Sequence, residues 1–307
     1  MSLSKAVSTE YITTRGRGLG GILEKTFKYW ALAPALVLLI LFTLYPVISL
    51  VVMSFHKNES AGGKILWTFV GLQNAHRLLF EDYVFKAALR NTLIFVGAVV
   101  IIEMLLGFFL ALLISRIPKG KGLLRTIMVL PIFVPAVAIG NMWRLMYSYD
   151  TGIFNQVLEA VGLSPVLWLS SPNIAMISVI VVDVWHWVPF VFLIALAGFE
   201  SLDIETMEAA RVDGAGGWQL LRLIVIPLMW PTLSVILMLR TIFAFKVFDE
   251  IWLLTRGGPG TATEVLSLHI YKVFFLQDLK GYGSLISVVT IMMTLVMIYI
   301  FRRQGRR

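Results

Sequence analysis

Long apolar segments separated by shorter polar ones dominate this chain of 307 residues. A helix needs about 20 mostly apolar residues to cross the hydrocarbon core of a bilayer. Six segments meet that requirement, at about 29–53, 87–115, 123–147, 174–197, 223–247 and 284–303. The pattern therefore predicts an all-α integral membrane protein with about six transmembrane helices. The first segment is too long for the apolar part of a signal peptide, so we expect it to remain as an anchor.

The composition supports a membrane protein and excludes several kinds of site. Hydrophobic residues make up 58% of the chain and charged residues only 14%, whereas soluble domains carry about 25% charged residues. Cysteine is absent, which excludes disulfides and thiolate metal sites. Four histidines without a His-Glu-x-x-His motif predict no metal site. Because neither a Walker A sequence nor a Gly-x-Ser-x-Gly motif occurs, we expect no bound ATP, no cofactor and no enzymatic activity in this chain.

The distribution of lysine and arginine predicts the orientation. With the N-terminus inside, the cytoplasmic segments 1–28, 116–125, 198–222 and 302–307 carry 15 of these residues, and the longer outer loops carry 7. Positive charge marks the cytoplasmic side. We therefore expect cytoplasmic termini, with a leader over 1–28, a membrane domain over 29–303 and a basic tail over 304–307. The net charge of +8 then reports topology, and no nucleic-acid partner is expected.

The cytoplasmic loop 198–222 is longer than a simple turn requires. Its residues favour a short helix over about 204–213, with Asp203 as the N-cap and acidic residues in the first turn. Gly214, Gly216 and Gly217 then interrupt the chain, and a second short helix leads to Pro227. This helix–turn–helix at the membrane surface presents one face to a soluble partner.

The same loop carries a spaced motif. Glu208-Ala209-Ala210 is followed after three residues by Gly214, and after nine more by Ile224, one further residue, Ile226 and Pro227. This spacing resembles the EAA signature in membrane subunits of binding-protein-dependent ABC importers, with Ile226 where that pattern has leucine. The resemblance implies that the ATPase-coupling loop contains Glu208, Ala209, Ala210, Asp213, Gly214, Ile224 and Pro227.

A second stretch is similar to one branch of that family. Residues 248–259 read Phe-Asp-Glu-Ile-Trp-Leu-Leu-Thr-Arg-Gly-Gly-Pro, which resembles an outer loop of carbohydrate-uptake permeases of the maltose, glycerol-phosphate or polyol type. The resemblance covers roughly 29–303 and implies the type I ABC importer permease fold in a bacterial inner membrane.

The implied partners are a second homologous permease subunit, two ATPase subunits that bind ATP and magnesium, an extracytoplasmic solute-binding protein and membrane lipid. The 198–222 loop would lie in a cleft of the ATPase as a helix in a groove. Closure of the ATPase pair would then shift the spans from inward-facing to outward-facing.

Two charged residues lie near the middle of the predicted spans. Asp183 and Arg240 are each about nine residues from an outer helix end, which places both about 14 Å deep at about 1.5 Å per residue. At helical spacing, each of these two charged residues shares one face of its helix with apolar neighbours. The candidates for the substrate path are Asp183, Trp187 and Phe190 on span four, and Arg240, Phe243 and Val247 on span five.

Two interpretations of these charges stay open. Asp183 and Arg240 neutralise each other as a structural pair, or Arg240 contacts an anionic solute such as a sugar phosphate or sulfonate. Glu103 in span two is a weaker candidate and is better explained as an interhelical contact.

Two other classes of membrane protein were weighed against an importer subunit. A secondary transporter also has several spans with buried charge, but it more often shows two related halves and gives no reason for the EAA spacing. An intramembrane hydrolase requires a nucleophile in a recognisable setting, which this sequence lacks.

Overall fold

The computed structural model describes residues 19–61, 64–117 and 119–304, and most of them are helical. Two compact units divide at Val52. In the N-terminal unit, α1 (Leu19–Leu39) and a π-helical turn (Ile40–Leu44) lead into α2 (Tyr45–Ser54). Helix α1 thus begins well before the predicted start at residue 29, within the predicted leader. Residues 1–18 of that leader and 305–307 of the predicted tail lie outside the described residues.

The second unit contains a β-hairpin and the remaining helices. Its elements follow in chain order: β1 (His56–Ala61), β2 (Lys64–Phe69), α3 (Gln73–His76), α4 (Tyr83–Ser115), α5 (Lys121–Val129), α6 (Ala136–Met146), α7 (Ile153–Ala160), α8 (Ala175–Glu200), α9 (Ile204–Val212), α10 (Gly217–Leu220), α11 (Ile226–Phe245), α12 (Asp249–Leu254), α13 (Leu266–Tyr271) and α14 (Lys280–Gln304). Helices α4, α8, α11 and α14 correspond to predicted spans two, four, five and six.

Length and composition confirm most of the predicted spans. Five helical segments among the described residues are long and apolar enough to cross a membrane, and a bent pair makes a sixth. The bent pair falls where the span over 123–147 was predicted, and counting its two helices together as one span gives the predicted six. Helices α5 and α6 meet at 93° around a 3-10 turn, Leu130–Phe133. Val134 is extended there because a residue that precedes a proline, here Pro135, disfavours helical backbone.

The hairpin was not predicted, because outside the loop 198–222 only long apolar runs were assigned to elements. Strands β1 and β2 pair antiparallel, with His56 opposite Phe69 and Ala61 opposite Lys64. The side chain of Asn58 attaches the hairpin to the start of α14: it accepts a hydrogen bond from the Gly281 amide at 3.2 Å and donates to the carbonyl of Asp278.

Helices α4 and α8 form the centre of the second unit. One buried apolar cluster joins them to α6 and α12, and a second joins their other ends to α10 and α11. We call these the outer and the inner cluster, after the predicted orientation. The close packing of α4 on α8 requires Gly107, because a Cβ at this position would lie 2.6 Å from Val191 Cγ1 and 3.0 Å from the Phe192 amide.

Candidate functional site

A buried charged triad joins three of the spans. Arg240 on α11 lies between Glu103 on α4 and Asp183 on α8, and all three side chains are at most 2% exposed. The Arg240 guanidinium donates from Nε and Nη2 to the two Glu103 oxygens, the Nη2–Oε1 distance being 2.8 Å, and also from Nη2 to Asp183 Oδ2. A charge in this position is tolerated only when it is paired and hydrogen-bonded. Glu103 is therefore the interhelical contact that was predicted, and it is part of the same cluster as Asp183 and Arg240.

An aromatic layer lies against this triad. The Arg240 guanidinium is 4.9 Å from the centroid of the Trp187 ring, and Trp187 stacks on Phe243 at 5.3 Å. Phe190 meets both rings edge-on, at 6.0 and 5.9 Å. Phe243 remains 38% exposed. The layer thus contacts the Arg240 cation through Trp187 and is partly exposed at Phe243. The exposed aromatic surface suits the apolar C–H face of a sugar ring.

Five of the six predicted path residues come together in this way, and Val247 does not. Helix α11 ends at Phe245, so the helical spacing that grouped Val247 with Arg240 no longer applies at that position. Val247 is buried in the outer cluster, and its carbonyl accepts a hydrogen bond from Ser267. Its assignment to the same helix face as Arg240 was wrong for that reason.

A second buried polar pair lies beside the triad. His186 Nδ1 and Glu250 Oε1 are 3.2 Å apart and about nine-tenths buried. This pair was not predicted, because Glu250 is 64 positions further along the chain than His186 and follows the predicted end of span five. Among the described residues, no cluster of three or more His, Asp or Glu side chains is arranged to hold a metal ion.

The predicted cytoplasmic helix is present as α9 and has the predicted cap. Asp203 Oδ2 accepts a hydrogen bond from the Thr206 hydroxyl at 2.9 Å, and Oδ1 accepts from the Glu205 amide at 3.1 Å. These two bonds lower the pKa of Asp203. Gly214 follows the helix with φ +85°, a left-handed conformation that favours glycine. The chain can turn there because this position has no Cβ.

Helix α9 has one packed and one free face. Met207 and Ala210 pack against the inner cluster. Half-buried Ile224 lies in the π-helical turn Leu221–Val225, and Pro227 opens α11. The exposed residues are Ile204, Glu205, Thr206, Glu208, Ala209, Arg211, Val212 and Asp213. This places the motif residues Glu208, Ala209 and Asp213 on the surface, next to apolar side chains that remain in contact with solvent.

A polar network at the other end of the molecule was not predicted. Asp82 caps α4 and accepts hydrogen bonds from the Phe85 amide at 2.8 Å and the Tyr282 hydroxyl at 2.6 Å, and it lies 3.2 Å from His269 Nε2. Burial raises the pKa of Asp82, but these hydrogen bonds and the nearby His269 outweigh burial, so the pKa is lowered. Asp82 thus joins the start of α4 to α13 and α14.

Comparison with known proteins identifies the family. The family model for the binding-protein-dependent transport system inner membrane component matches residues 103–307. The trehalose/maltose transport system permease protein MalF of Thermococcus litoralis is 36% identical over 284 residues, covering 92% of this chain and 95% of that protein. The sulfoquinovosyl glycerol transport system permease protein SmoG of Agrobacterium fabrum is 33% identical over 292 residues, covering 94% and 92%.

A solved structure agrees with these relatives. A chain of a bacterial alginate ABC transporter, crystallised in complex with alginate pentasaccharide-bound periplasmic protein, superposes with a TM-score of 0.82 at 25% identity, over 94% of this chain and 97% of that one. The match confirms the ABC importer permease fold across nearly the whole length. The chain therefore belongs to the inner-membrane components of binding-protein-dependent transport systems, as a multi-pass ABC permease subunit.

Proposed function

We propose that this chain is the permease subunit of an ATP-driven importer for a sugar or sugar-like solute, delivered by an extracytoplasmic solute-binding protein. It pairs with a second, homologous permease subunit and with two ATPase subunits, which bind ATP and magnesium. Its termini are cytoplasmic. The names of the relatives support the solute class, since they refer to trehalose and maltose, to sulfoquinovosyl glycerol and to alginate.

The exposed face of α9 is the observation that carries this proposal. Ile204 and Val212, the first and last residues of α9, are 65% and 87% exposed, although the other face of this helix packs against the inner cluster. Apolar side chains beside an acidic residue, here Glu208, suit insertion of a helix into a groove of a soluble partner. The ATPase is that partner, and Gly214 provides the turn that lets the helix approach it closely.

The aromatic layer of Trp187, Phe190 and Phe243 lines the solute path. Sugars have apolar C–H faces that stack on aromatic rings, and Phe243 offers such a surface. Arg240 is 1% exposed and engaged by two carboxylates, which supports the structural-pair interpretation of this arginine. It acts on the path by holding the Trp187 ring in position.

Solute-stimulated ATP hydrolysis tests the coupling. The assembled transporter is reconstituted in lipid vesicles and assayed with the binding protein, empty or loaded from a panel of neutral and anionic sugars. The double variant Glu208→Ala/Gly214→Pro should abolish stimulation while assembly in the membrane persists, because proline cannot adopt the positive φ at residue 214. Gly216→Ala is the matched control: its backbone is ordinary, and its Cβ would lie 3.6 Å from Gln219 Oε1.

The outcomes separate an importer subunit from a secondary transporter. Normal stimulation in the double variant would overturn the role of α9. Solute uptake by this chain in the absence of any ATPase would instead support a secondary transporter. For the path, Phe243→Leu should raise the KM of uptake more than Trp230→Leu, a substitution at a 43% exposed position of the same helix outside the aromatic layer.

A further inference from the structure

One face of α4 carries a graded stripe of exposed side chains. Tyr83, Lys86 and Arg90 occupy its first two turns and are exposed. Further along the same face the exposed residues are apolar: Leu93, Ile94, Ile101 and Leu105, between 46% and 66% exposed. Gly97 on this face has no heavy atom within 4 Å of a Cβ placed on it. The order aromatic, cationic, then aliphatic matches the sequence of layers from lipid headgroups to hydrocarbon.

The two cations of this stripe have no carboxylate partner in the described part of the chain. Lys86 and Arg90 are four positions apart on one helix, which places their Cβ atoms about 5–6 Å apart, and like charges at this spacing repel each other. The nearby acids are engaged elsewhere: Glu81 lies 3.2 Å from His76, and Asp82 binds Tyr282 and His269. An anion placed between the two cations would remove the repulsion.

The elements before α4 add an exposed aromatic and apolar surface. In the hairpin, Ile65, Trp67 and Phe69 share one face, since strand side chains alternate, and they are 46%, 44% and 70% exposed. In the turn that leads to α4, Leu72 is 72% and Phe80 is 69% exposed. Aromatic side chains are enriched at membrane–water interfaces.

We propose that this surface binds an anionic phospholipid. The phosphodiester lies between Lys86 and Arg90, its acyl chains follow the apolar stripe of α4, and the exposed aromatic and apolar side chains Ile65, Trp67, Phe69, Leu72 and Phe80 sit among the neighbouring headgroups. Continuity with the apolar face of a membrane span and the unpaired positive charge both favour lipid as the occupant. This site is separate from the proposed solute path and from α9.

A site-specific binding measurement tests the headgroup contact. The chain has no cysteine, so Leu93→Cys accepts a single fluorophore three residues beyond Arg90. The assembled transporter in neutral detergent is titrated with phosphatidylglycerol or phosphatidylcholine carrying brominated acyl chains, and quenching reports occupancy. Lys86→Gln/Arg90→Gln should raise the half-saturating concentration of phosphatidylglycerol roughly 5- to 30-fold, as expected for two cations near a lipid surface.

The control variant loses the same charge from cations that have partners. Lys57→Gln/Lys280→Gln removes two lysines paired with Glu59 at 2.9 Å and Asp278 at 3.1 Å, and it should leave the titration unchanged. Equal quenching by both lipids in the native chain, or equal loss in both variants, would overturn the site. Displacement by inorganic phosphate at constant ionic strength would assign it to a free anion instead.

A second measurement tests the apolar surface. Spin labels on Phe69→Cys, Leu72→Cys and Phe80→Cys in the assembled transporter in lipid nanodiscs should be accessible to oxygen and shielded from a water-soluble nickel chelate. A label on Glu59→Cys, on the polar face of the hairpin, should be accessible to the chelate. Labels that the chelate reaches would place the surface in water, and labels shielded from both reagents would place it against protein; either result overturns the proposal.

Discussion

Replacement of Arg240 by methionine tests the triad directly. Methionine keeps an unbranched apolar stem but removes the guanidinium, which leaves Glu103 and Asp183 facing each other, both at most 2% exposed. Removal of one partner from a buried ion pair costs about 3–5 kcal/mol, because an uncompensated charge stays in an apolar interior. We therefore expect the substitution to cause one of the largest losses of stability available in this chain.

The size of the loss can be measured as a shift in Tm. At roughly 2–4 °C per kcal/mol, the range for domains of about 150–250 residues, a cost of about 3–5 kcal/mol lowers Tm by up to roughly 6–20 °C. The assay is thermal unfolding of the assembled transporter in nanodiscs at neutral pH, followed by tryptophan fluorescence and by the fraction that remains monodisperse.

Two further variants separate loss of the charge from loss of the contact. Glu103→Gln keeps the shape and leaves one guanidinium facing one carboxylate, but its amide N–H replaces one of the two oxygens that accept from Arg240, so it should cost about 1–3 kcal/mol, less than Arg240→Met. The triple variant Glu103→Met/Asp183→Leu/Arg240→Met removes all the charges of the triad, and such replacements are often neutral or stabilising. An unchanged Tm for Arg240→Met alone, or a triple variant less stable than Arg240→Met, would refute this reasoning.

Three further predictions concern packing and hydrogen bonds. Gly107→Ala should destabilise the protein by about 1–3 kcal/mol through overpacking. Gly97→Ala on the same helix should be neutral or stabilising, because nothing lies within 4 Å of a Cβ placed there. Thermal unfolding of the two variants side by side measures the difference. Asp82→Asn should lower Tm at neutral pH, and the difference in Tm from the native chain should shrink in acid. The ionised Asp82 carboxylate stabilises the fold at pH values above its ordinary pKa of 3.8. That contribution is lost as the pH falls through the lowered pKa of Asp82 in the folded protein. Asn155→Leu removes hydrogen bonds to the Tyr149 and Val166 carbonyls, so chemical denaturation should show a loss of at least about 2 kcal/mol.

The spans could be predicted because bilayer thickness fixes the length of the apolar run that crosses it. Helix α9 and its cap could be predicted because Asp203 caps an amide two residues away and Gly214 provides the turn at its own position. The number of residues from the outer end of each span placed Asp183 and Arg240 at the same depth in the membrane, and the two side chains are in contact. These features depend on local spacing along one or two helices.

The contacts that could not be predicted join parts of the chain that are far apart in sequence and meet only in the tertiary structure. The pairing of Glu250 with His186 and of Asp82 with Tyr282 joins residues 64 and 200 positions apart, and no periodicity in the sequence records such a contact. The bend between α5 and α6 lies at Pro131 and Pro135, and prolines within a span interrupt helical hydrogen bonds and place kinks. The hairpin at 56–69 was missed because its strands are short and mixed in polarity, so they lack the long apolar signal that was used.

The position of the triad explains how movement of α9 could reach the solute path. Helix α9 lies between α8, which carries Asp183, and the run from α10 to α11, which carries Arg240. At about 1.5 Å per residue, Asp183 lies roughly 30 Å and Arg240 roughly 40 Å along the chain from the nearer end of α9, so each flanking helix acts as a long lever. The Arg240 bonds to Asp183 and Glu103 connect both levers to α4. A displacement of α9 then moves α8 and α11 together, and the stacked pair Trp187–Phe243, with one ring on each helix, keeps its geometry. If the proposed function holds, access to the aromatic layer changes by movement of the whole group against the proposed second permease subunit, with the triad holding the three helices together.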